Sequence, residues 1–472
     1  MSRQTRRIHD EYLDTEDLRL ARWGVTVRWR NGDGWTVKLP RTTTVSSVLD
    51  RDEVHFEGER AMLPDEVVGV VVPFSRHQPL VDIAQIDTSR TAWSWRRADG
   101  SLAGELVDDH VVGTTRRGEV SFREIEFELG AGTDPAVLSA IVESLGVDRH
   151  AAAVPKLVRL LGDEAARPSD VVSLEVPGDP TAADVIHAAI TASVRQLLLQ
   201  IPAARLGVDS VGVHQARVAT RRLRSDLRTF APLLDKDWAR ELRRELGWLA
   251  SELGAVRDGD VLEEHLAAAI SANPEIGADG GAEVLGCLAR QRQQSRQSLL
   301  FHLADGRAVT LFDHLVDAAA NPRIRKRAYK QPVNALLPPL VLKLWVAVRA
   351  GVEQLASPPL EVELHEVRIL AKRARYGAEA VSPATGKDAR KFAMAAASVQ
   401  DRLGELHDSV VAAQWLEHAA TTDLSPTGAF AAGRLAQQLR GQAATDSPNW
   451  RASYDQMQHR TRWLSNDIGS AR

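Results

Sequence analysis

Two periodicities divide the chain. Up to about residue 150, apolar and polar residues alternate in short runs: VTVRWR (25–30), WTVKL (35–39), VDIAQIDTSR (81–90), TAWSWRR (91–97), LAGELVD (102–108) and SFREIEFEL (121–129). EVVGVVVPF (66–74) continues the series, and NGDG (31–34) and ADGS (98–101) supply turns. Alternation with period two predicts strands, and turns at this spacing predict one antiparallel sheet or barrel. From Thr181 the apolar spacing changes to three and four, as in TAADVIHAAITASVRQLLLQI (181–201) and in Leu242, Leu246, Leu249 and Leu253. That spacing predicts amphipathic helices, the first opened by a Thr cap. Between them, PKLVRLLG (155–162) makes a short helix at most, and ARPSD and VPGDP add breakers. The expected architecture is α+β and multidomain: a β domain over 1–150, a connection over 151–180 and an all-α domain over 181–465.

One helix stands out. VHQARVATRRLRSDLRTF (213–230) places His214, Arg217, Arg221, Arg224 and Arg228 within an arc of roughly 80°. Ala216, Ala219, Leu223, Leu227 and Phe230 occupy the opposite side, so one face is cationic and the other is core. The pattern returns in LHEVRILAKRARYGAEAV (364–381), where His365, Arg368, Lys372 and Arg375 keep the register 151 residues later. A second pair of stretches, ELGAVRDGDVL (252–262) and RLGELHDSVVA (402–412), recurs in the same order at an offset of 150. Two motifs at nearly one offset predict a duplicated helical unit, with repeats over about 181–305 and 333–465. Like charges at i, i+3 and i, i+4 destabilise an isolated helix, so a bound polyanion is the natural compensation. The basic loop 321–332, with Arg323, Arg325, Lys326, Arg327 and Lys330, reads as a solvated loop or a flank of the same site.

Charge narrows the picture. The chain of 472 residues carries a net charge of −4, so the basic faces are local patches and not part of a generally cationic surface. Single Cys287 allows no internal disulfide, which fits a reducing compartment. No secretory leader and no uninterrupted apolar run of about 18 residues is evident, so a cytoplasmic protein without a membrane partner is expected. In the β region, Arg28 and Arg30 share a face, Lys38 lies on the next strand, and Glu124, Glu126 and Glu128 share another. A solvated outer face gives this alternation, and so does a barrel with a charged lumen. Cations for phosphate and carboxylates for a hard divalent ion are what a triphosphate site needs.

The helical stretches quoted above resemble the signature motifs of the CHAD (conserved histidine α-helical) domain, over about 181–463. That resemblance implies a pseudo-symmetric helical fold whose basic channel binds inorganic polyphosphate. Carried over by position, the binding residues are His214, Arg217, Arg221, Arg222, Arg224 and Arg228, with His365, Arg368, Lys372, Arg373, Arg375 and Tyr376. EYLDTEDLRLARWGVTVRWR, GWTVKLP, GELVDDHV and FREIEFEL resemble the CYTH domain, the triphosphate tunnel fold, over about 9–146. That resemblance implies a β-barrel with Arg28, Arg30, Lys38 and Arg90 on a triphosphate, and Glu105, Glu126 and Glu128 on magnesium or manganese. The Glu-x-Glu-x-Lys strand that opens such domains does not occur here, so an incomplete, N-terminally truncated tunnel is expected. The resulting expectation is polyphosphate binding by the helical domain, with association with polyphosphate granules. The alternative is a metal-dependent triphosphatase or polyphosphatase acting on triphosphate or a nucleotide in the tunnel. Nucleic acid is disfavoured, because Tyr376 is the one aromatic on the basic faces.

Overall fold

A computed structural model describes residues 2–40, 51–130, 132–134, 136–144, 154–207, 210–446 and 450–464. The chain forms two compact units, Met1–Asp170 and Val171–Arg472.

In the first unit, seven antiparallel strands lie in the order β4-β3-β2-β1-β5-β6-β7. They are β1 (Ser2–Asp14), β2 (Thr26–Arg30), β3 (Gly34–Pro40), β4 (Arg51–Phe56), β5 (Val81–Arg96), β6 (Leu102–Thr115) and β7 (Gly118–Leu129). The sheet is open: among the described residues β4 and β7 are edges, where the sequence points to a barrel. Strand β1 is central, although SRQTRRIHDEY has too few apolar residues to announce it. Pairing with β2 and β5 on its two sides satisfies its backbone instead. At its end Asp14 accepts the backbone N–H groups of Thr15, Leu20 and Ala21 at 2.6–2.8 Å, which turns the chain into α1 (Arg19–Arg22).

One expectation is overturned here. EVVGVVVPF is not a strand but the core of helix α2 (Asp65–Ser75). A short buried apolar run fits either structure by periodicity alone. Asp65 and Glu66 favour the start of a helix, and Val67, Val70, Val71 and Phe74 are buried at helical spacing. A short helix, α3 (Ala136–Ser144), follows β7. The segment read as a connection over 151–180 is largely part of the first unit. Its helices α4 (Lys156–Leu161) and α5 (Asp163–Ala166) bury Leu157, Leu160 and Ala165 among Tyr12, Ile86 and Val111. Trp23 Nε1 also donates to Asp170 at 2.7 Å.

The second unit is helical. Helices α6 (Ala182–Leu206), α7 (Ser210–Thr229), α8 (Lys236–Ser271) and α9 (Ala278–Ala304) form the first repeat. After α10 (Gly306–Ala320) and α11 (Arg327–Lys330) come their counterparts α12 (Val333–Glu353), α13 (Glu361–Thr385), α14 (Lys387–Thr422) and α15 (Pro426–Asp446), then α16 (Trp450–His459). The third helix of each repeat has 36 residues, as a duplication requires. A Thr181–Asp184 capping box starts α6. By length and composition α6 and α12 could cross a membrane. Ile186, Ile190, Leu197 and Leu198 of α6 are buried in the bundle, whereas most of the apolar window of α12 is not.

Candidate functional site

The cationic faces occupy α7 and α13, and these helices pack against each other. Gly377 of α13 meets Thr229 at the end of α7, where a Cβ would stand at an ordinary contact distance of 3.5 Å from Oγ1; its tight neighbour is Leu344 of α12, whose Cδ1 a Cβ would meet at 2.4 Å. Their apolar sides hold them in place. Ala216, Ala219, Leu223, Leu227 and Phe230 are at most 2% exposed, and Ala371, Ala374 and Ala378 are fully buried. Burying each large side chain contributes about 1.5–3 kcal/mol, against a few tenths per like-charged i, i+4 pair. Packing therefore overrides the repulsion within each row.

Across the helix pair the two rows share one field. Lys372 is pushed down to about 7 by burial and then by Arg221, Arg368, Arg217 and Arg375, drawn from both helices. Arg221 is lowered to about 10 by burial and by Arg217, with Arg368 adding to it. At the far end of α7, Arg228 falls to about 10 through burial, Arg373, Arg243 and Arg224. Among the described residues, Arg221, Arg224, Arg228, Arg368, Lys372 and Arg373 form no ion pair with a carboxylate within 4.0 Å. The Nε atoms of Arg217 and Arg368 are buried and have no hydrogen-bond partner.

The second repeated motif explains itself in this setting. Gly254 of α8 and Gly404 of α14 lie under the guanidinium groups of Arg217 and Arg368; Cβ atoms there would stand 3.9 and 3.5 Å from the two Nε atoms. Asp258 then pairs with Arg217 at 2.8 Å. Three residues missed from the sequence also join the cluster. Arg257 depresses His214, after burial and ahead of Arg217 and Arg221. His407, at the position equivalent to Arg257, lies with its Nδ1 3.1 Å from that of His365. Arg243 faces Arg224 and Arg228. The offset of 150 already aligned Arg257 with His407, which was the available signal; Arg243 had none.

The duplication is imperfect at one end. Glu379 stands where the first repeat has Arg228, and it pairs with Arg375 at 2.9 Å and, across the helices, with Arg222 at 3.5 Å. Tyr376 lies under Arg375, 5.6 Å from the ring centre to Cζ. The basic loop meets the turn after α7 through its backbone: Arg325 N donates to Leu233 O, and Asp235 N donates to Arg323 O, both at 2.8 Å.

In the first unit, strand register puts all seven residues selected from the sequence on one face. Arg28 pairs with Thr36 and Tyr12, Arg30 with Asp10, Arg90 with Asp109, Glu126 with Val107 and Glu128 with Glu105, while Lys38 is opposite Thr26. The face is nevertheless neutralised from within. Arg30 makes a two-pronged contact with Asp10 at 2.7 and 2.9 Å, and Arg28 lies 3.6 Å from the same carboxylate. Lys38 pairs with Glu53 at 2.6 Å, and Arg90 grips Asp109 at 2.9 and 2.7 Å and reaches Glu126 at 3.3 Å. Glu105 accepts the hydroxyl of Ser94 at 2.5 Å. Glu124 is pushed up to about 7 by burial and by the adjacent Glu126. Magnesium or manganese, implied by the tunnel resemblance, does not fit this arrangement. Among the described residues no three His, Cys, Asp or Glu side chains are grouped to hold a metal.

Comparisons with known proteins agree with this division. Residues 2–149 match the CYTH domain and residues 188–417 the CHAD domain. Two curated relatives from Mycobacterium tuberculosis are the uncharacterized proteins MT2285 (strain CDC 1551 / Oshkosh) and Rv2226 (strain ATCC 25618 / H37Rv). Each is 31% identical over 466 residues, covering 92% of this chain and 86% of the relative. Among solved structures, the CHAD domain from the plant Ricinus communis is 24% identical with a TM-score of 0.50, covering 61% of this chain and 95% of its own. PptA from Streptomyces chartreusis is 22% identical with a TM-score of 0.49, covering 59% of this chain and 99% of its own. The chain therefore belongs to the family of proteins that join an N-terminal CYTH domain to a CHAD domain.

Proposed function

We propose that the CHAD domain binds inorganic polyphosphate along the paired cationic faces of α7 and α13. The observation that carries this reading is the set of six cations that, among the described residues, have no carboxylate partner within 4.0 Å, in a cluster where burial and then the neighbouring arginines push Lys372 down to about 7. Partly buried charge without a counter-charge costs free energy, and an anion with many negative groups offsets it. Length favours a chain over a single phosphate. From His214 to Arg228 the row extends roughly 21 Å at 1.5 Å per residue. Arginine forks grip phosphate oxygens in pairs, whereas Lys372 acts as a point charge. A nucleic acid has less support, since Tyr376 is the one aromatic on these faces and is already stacked against Arg375.

Titration of the whole protein with long-chain polyphosphate, repeated at rising salt, tests the reading. By analogy with nucleic-acid binding, log affinity falls linearly with log salt, by about one unit for each neutralised phosphate. Affinity that ignores salt, or that single-stranded DNA of equal charge matches, overturns it.

The alternative, a metal-dependent triphosphatase or polyphosphatase in the CYTH domain, is favoured by the shared face of Arg28, Arg30, Lys38, Arg90, Glu105, Glu126 and Glu128. It is disfavoured because all four cations are already paired with carboxylates. Phosphate release from triphosphate in the presence of Mn²⁺, compared with Glu126→Ala, decides between the two.

A further inference from the structure

Three carboxylates converge on the charged face of the CYTH sheet: Asp109 of β6, and Glu124 and Glu126 of β7. Asp109 is fully buried. As they stand the three carboxylates are not grouped to hold a metal, and a residue from outside the sheet stands between them. Helix α4 lies against this face, with Leu157 and Leu160 at 3% and 5% exposure. Leu160 seats over Gly113: a Cβ there would stand 2.5 Å from Leu160 Cδ2, so any side chain at 113 would force Leu160 to shift. The docking fixes Lys156, the first residue of α4. Its Nζ makes a short contact with Asp109 Oδ2 and lies 3.2 Å from Glu126 Oε1 and 3.9 Å from Glu124 Oε1. Arg90 closes the other side through Asp109 and Glu126.

We infer that Lys156 is a built-in counter-ion in the place of a divalent cation, and that α4 keeps this face closed to metal until the helix is displaced. The charges favour the closed form. Asp109 and Glu126 each meet both Arg90 and Lys156, and Glu124 lies within 4 Å of Lys156 and Arg159. Three carboxylates thus face three cations. Magnesium would need oxygens at about 2.0–2.1 Å, so the carboxylates would have to close in on a point the ammonium now occupies. Both cations cannot share the site. Entry of the metal requires Lys156 to leave, and Leu157 and Leu160 tie its backbone to the core.

The test is Mn²⁺ binding by the full chain, followed by the electron paramagnetic resonance of the free ion after chelator treatment and removal of polyphosphate. The wild type should take up no manganese that Glu126→Gln removes. Lys156→Met, which keeps the apolar stem, should bind about one equivalent at least tenfold more tightly than the wild type. Adding Glu126→Gln should abolish that gain, and Lys156→Arg should behave as the wild type. Leu160→Gln, which loosens α4 without touching Lys156, should also gain manganese. Wild-type binding that Glu126→Gln abolishes overturns the inference, whether or not the variants fold. So does folded Lys156→Met that binds manganese no better than the wild type.

Discussion

Replacing Lys372 with methionine removes the charge at the centre of the cationic cluster while keeping most of the side chain. In the free protein Lys372 titrates at about 7, lowered from 10.5 by burial and by Arg221, Arg368, Arg217 and Arg375. A bound polyphosphate neutralises those arginines and draws the proton back onto Lys372, raising its pKa toward the ordinary range. Between about 7 and the raised value, the free site lacks a proton that the bound site holds, so binding takes up as much as one proton. Linkage then sets the sign: affinity falls as pH rises above 7, by up to about tenfold per pH unit, and the slope vanishes below 7. Stability of the free protein runs the other way. The unfolded chain keeps this proton up to about 10.5, so the contribution of Lys372 to stability rises with pH through the same window. Isothermal titration at pH 8.5 in buffers of different ionisation enthalpy reads the uptake directly. The wild type should take up close to one proton more than Lys372→Met, and the affinity of the variant should be nearly flat from pH 7 to 9. Internal phosphates of a long chain stay ionised over this range, so they add no slope. Equal uptake by the two proteins would refute the reasoning.

Other expectations follow from the same geometry. Gly404→Leu should push the guanidinium of Arg368 off α14 and weaken polyphosphate binding about tenfold, the loss of roughly 1.4 kcal/mol of charge-assisted contact, with the circular dichroism unchanged; undiminished affinity would contradict the role given to this glycine. Buried Asp226 accepts the Ser193 hydroxyl at 3.1 Å and is raised to about 7 by burial. Its folded pKa exceeds the unfolded one, so its stabilising contribution is complete below about pH 4 and is lost as pH rises through 7, with a ceiling of roughly 4 kcal/mol. Asp226→Asn should therefore gain on the wild type in urea denaturation between pH 5 and pH 8; a constant difference would refute this. Burial and neighbouring arginines hold His214 below its usual value, so any strengthening of binding that it causes should set in below pH 6.5 and disappear in His214→Gln.

The sequence was most informative where one side chain in three or four had to point inward. The apolar face of α7, from Ala216 to Phe230, is buried as its periodicity requires, and duplication made α13 legible with it. Alternation likewise selected the residues of the sheet that share one face. What periodicity could not supply was the identity of the residue opposite. Asp10 beside Arg30, Glu53 beside Lys38 and Lys156 beside Asp109 are separated by 20, 15 and 47 positions, and no local pattern links them. These partners change the meaning of the face from an open anion site to an internally paired one. Strand β1 escaped because its stability comes from two flanking strands and not from its own apolar residues. Helix α2 was misread because it is buried nearly all round, where period two and period 3.6 leave the same trace.

The most direct measurement is polyphosphate affinity in Arg217→Ala/Arg368→Ala. These two arginines occupy equivalent positions in the repeats, lie over Gly254 and Gly404, and leave their Nε atoms buried without a partner. Each charge-assisted contact contributes about 1.5–3 kcal/mol, so the double variant should bind at least 100-fold more weakly and show a salt slope shallower by about two units. Unchanged affinity and slope in a folded double variant would contradict the assignment of the α7–α13 cluster as the polyphosphate site.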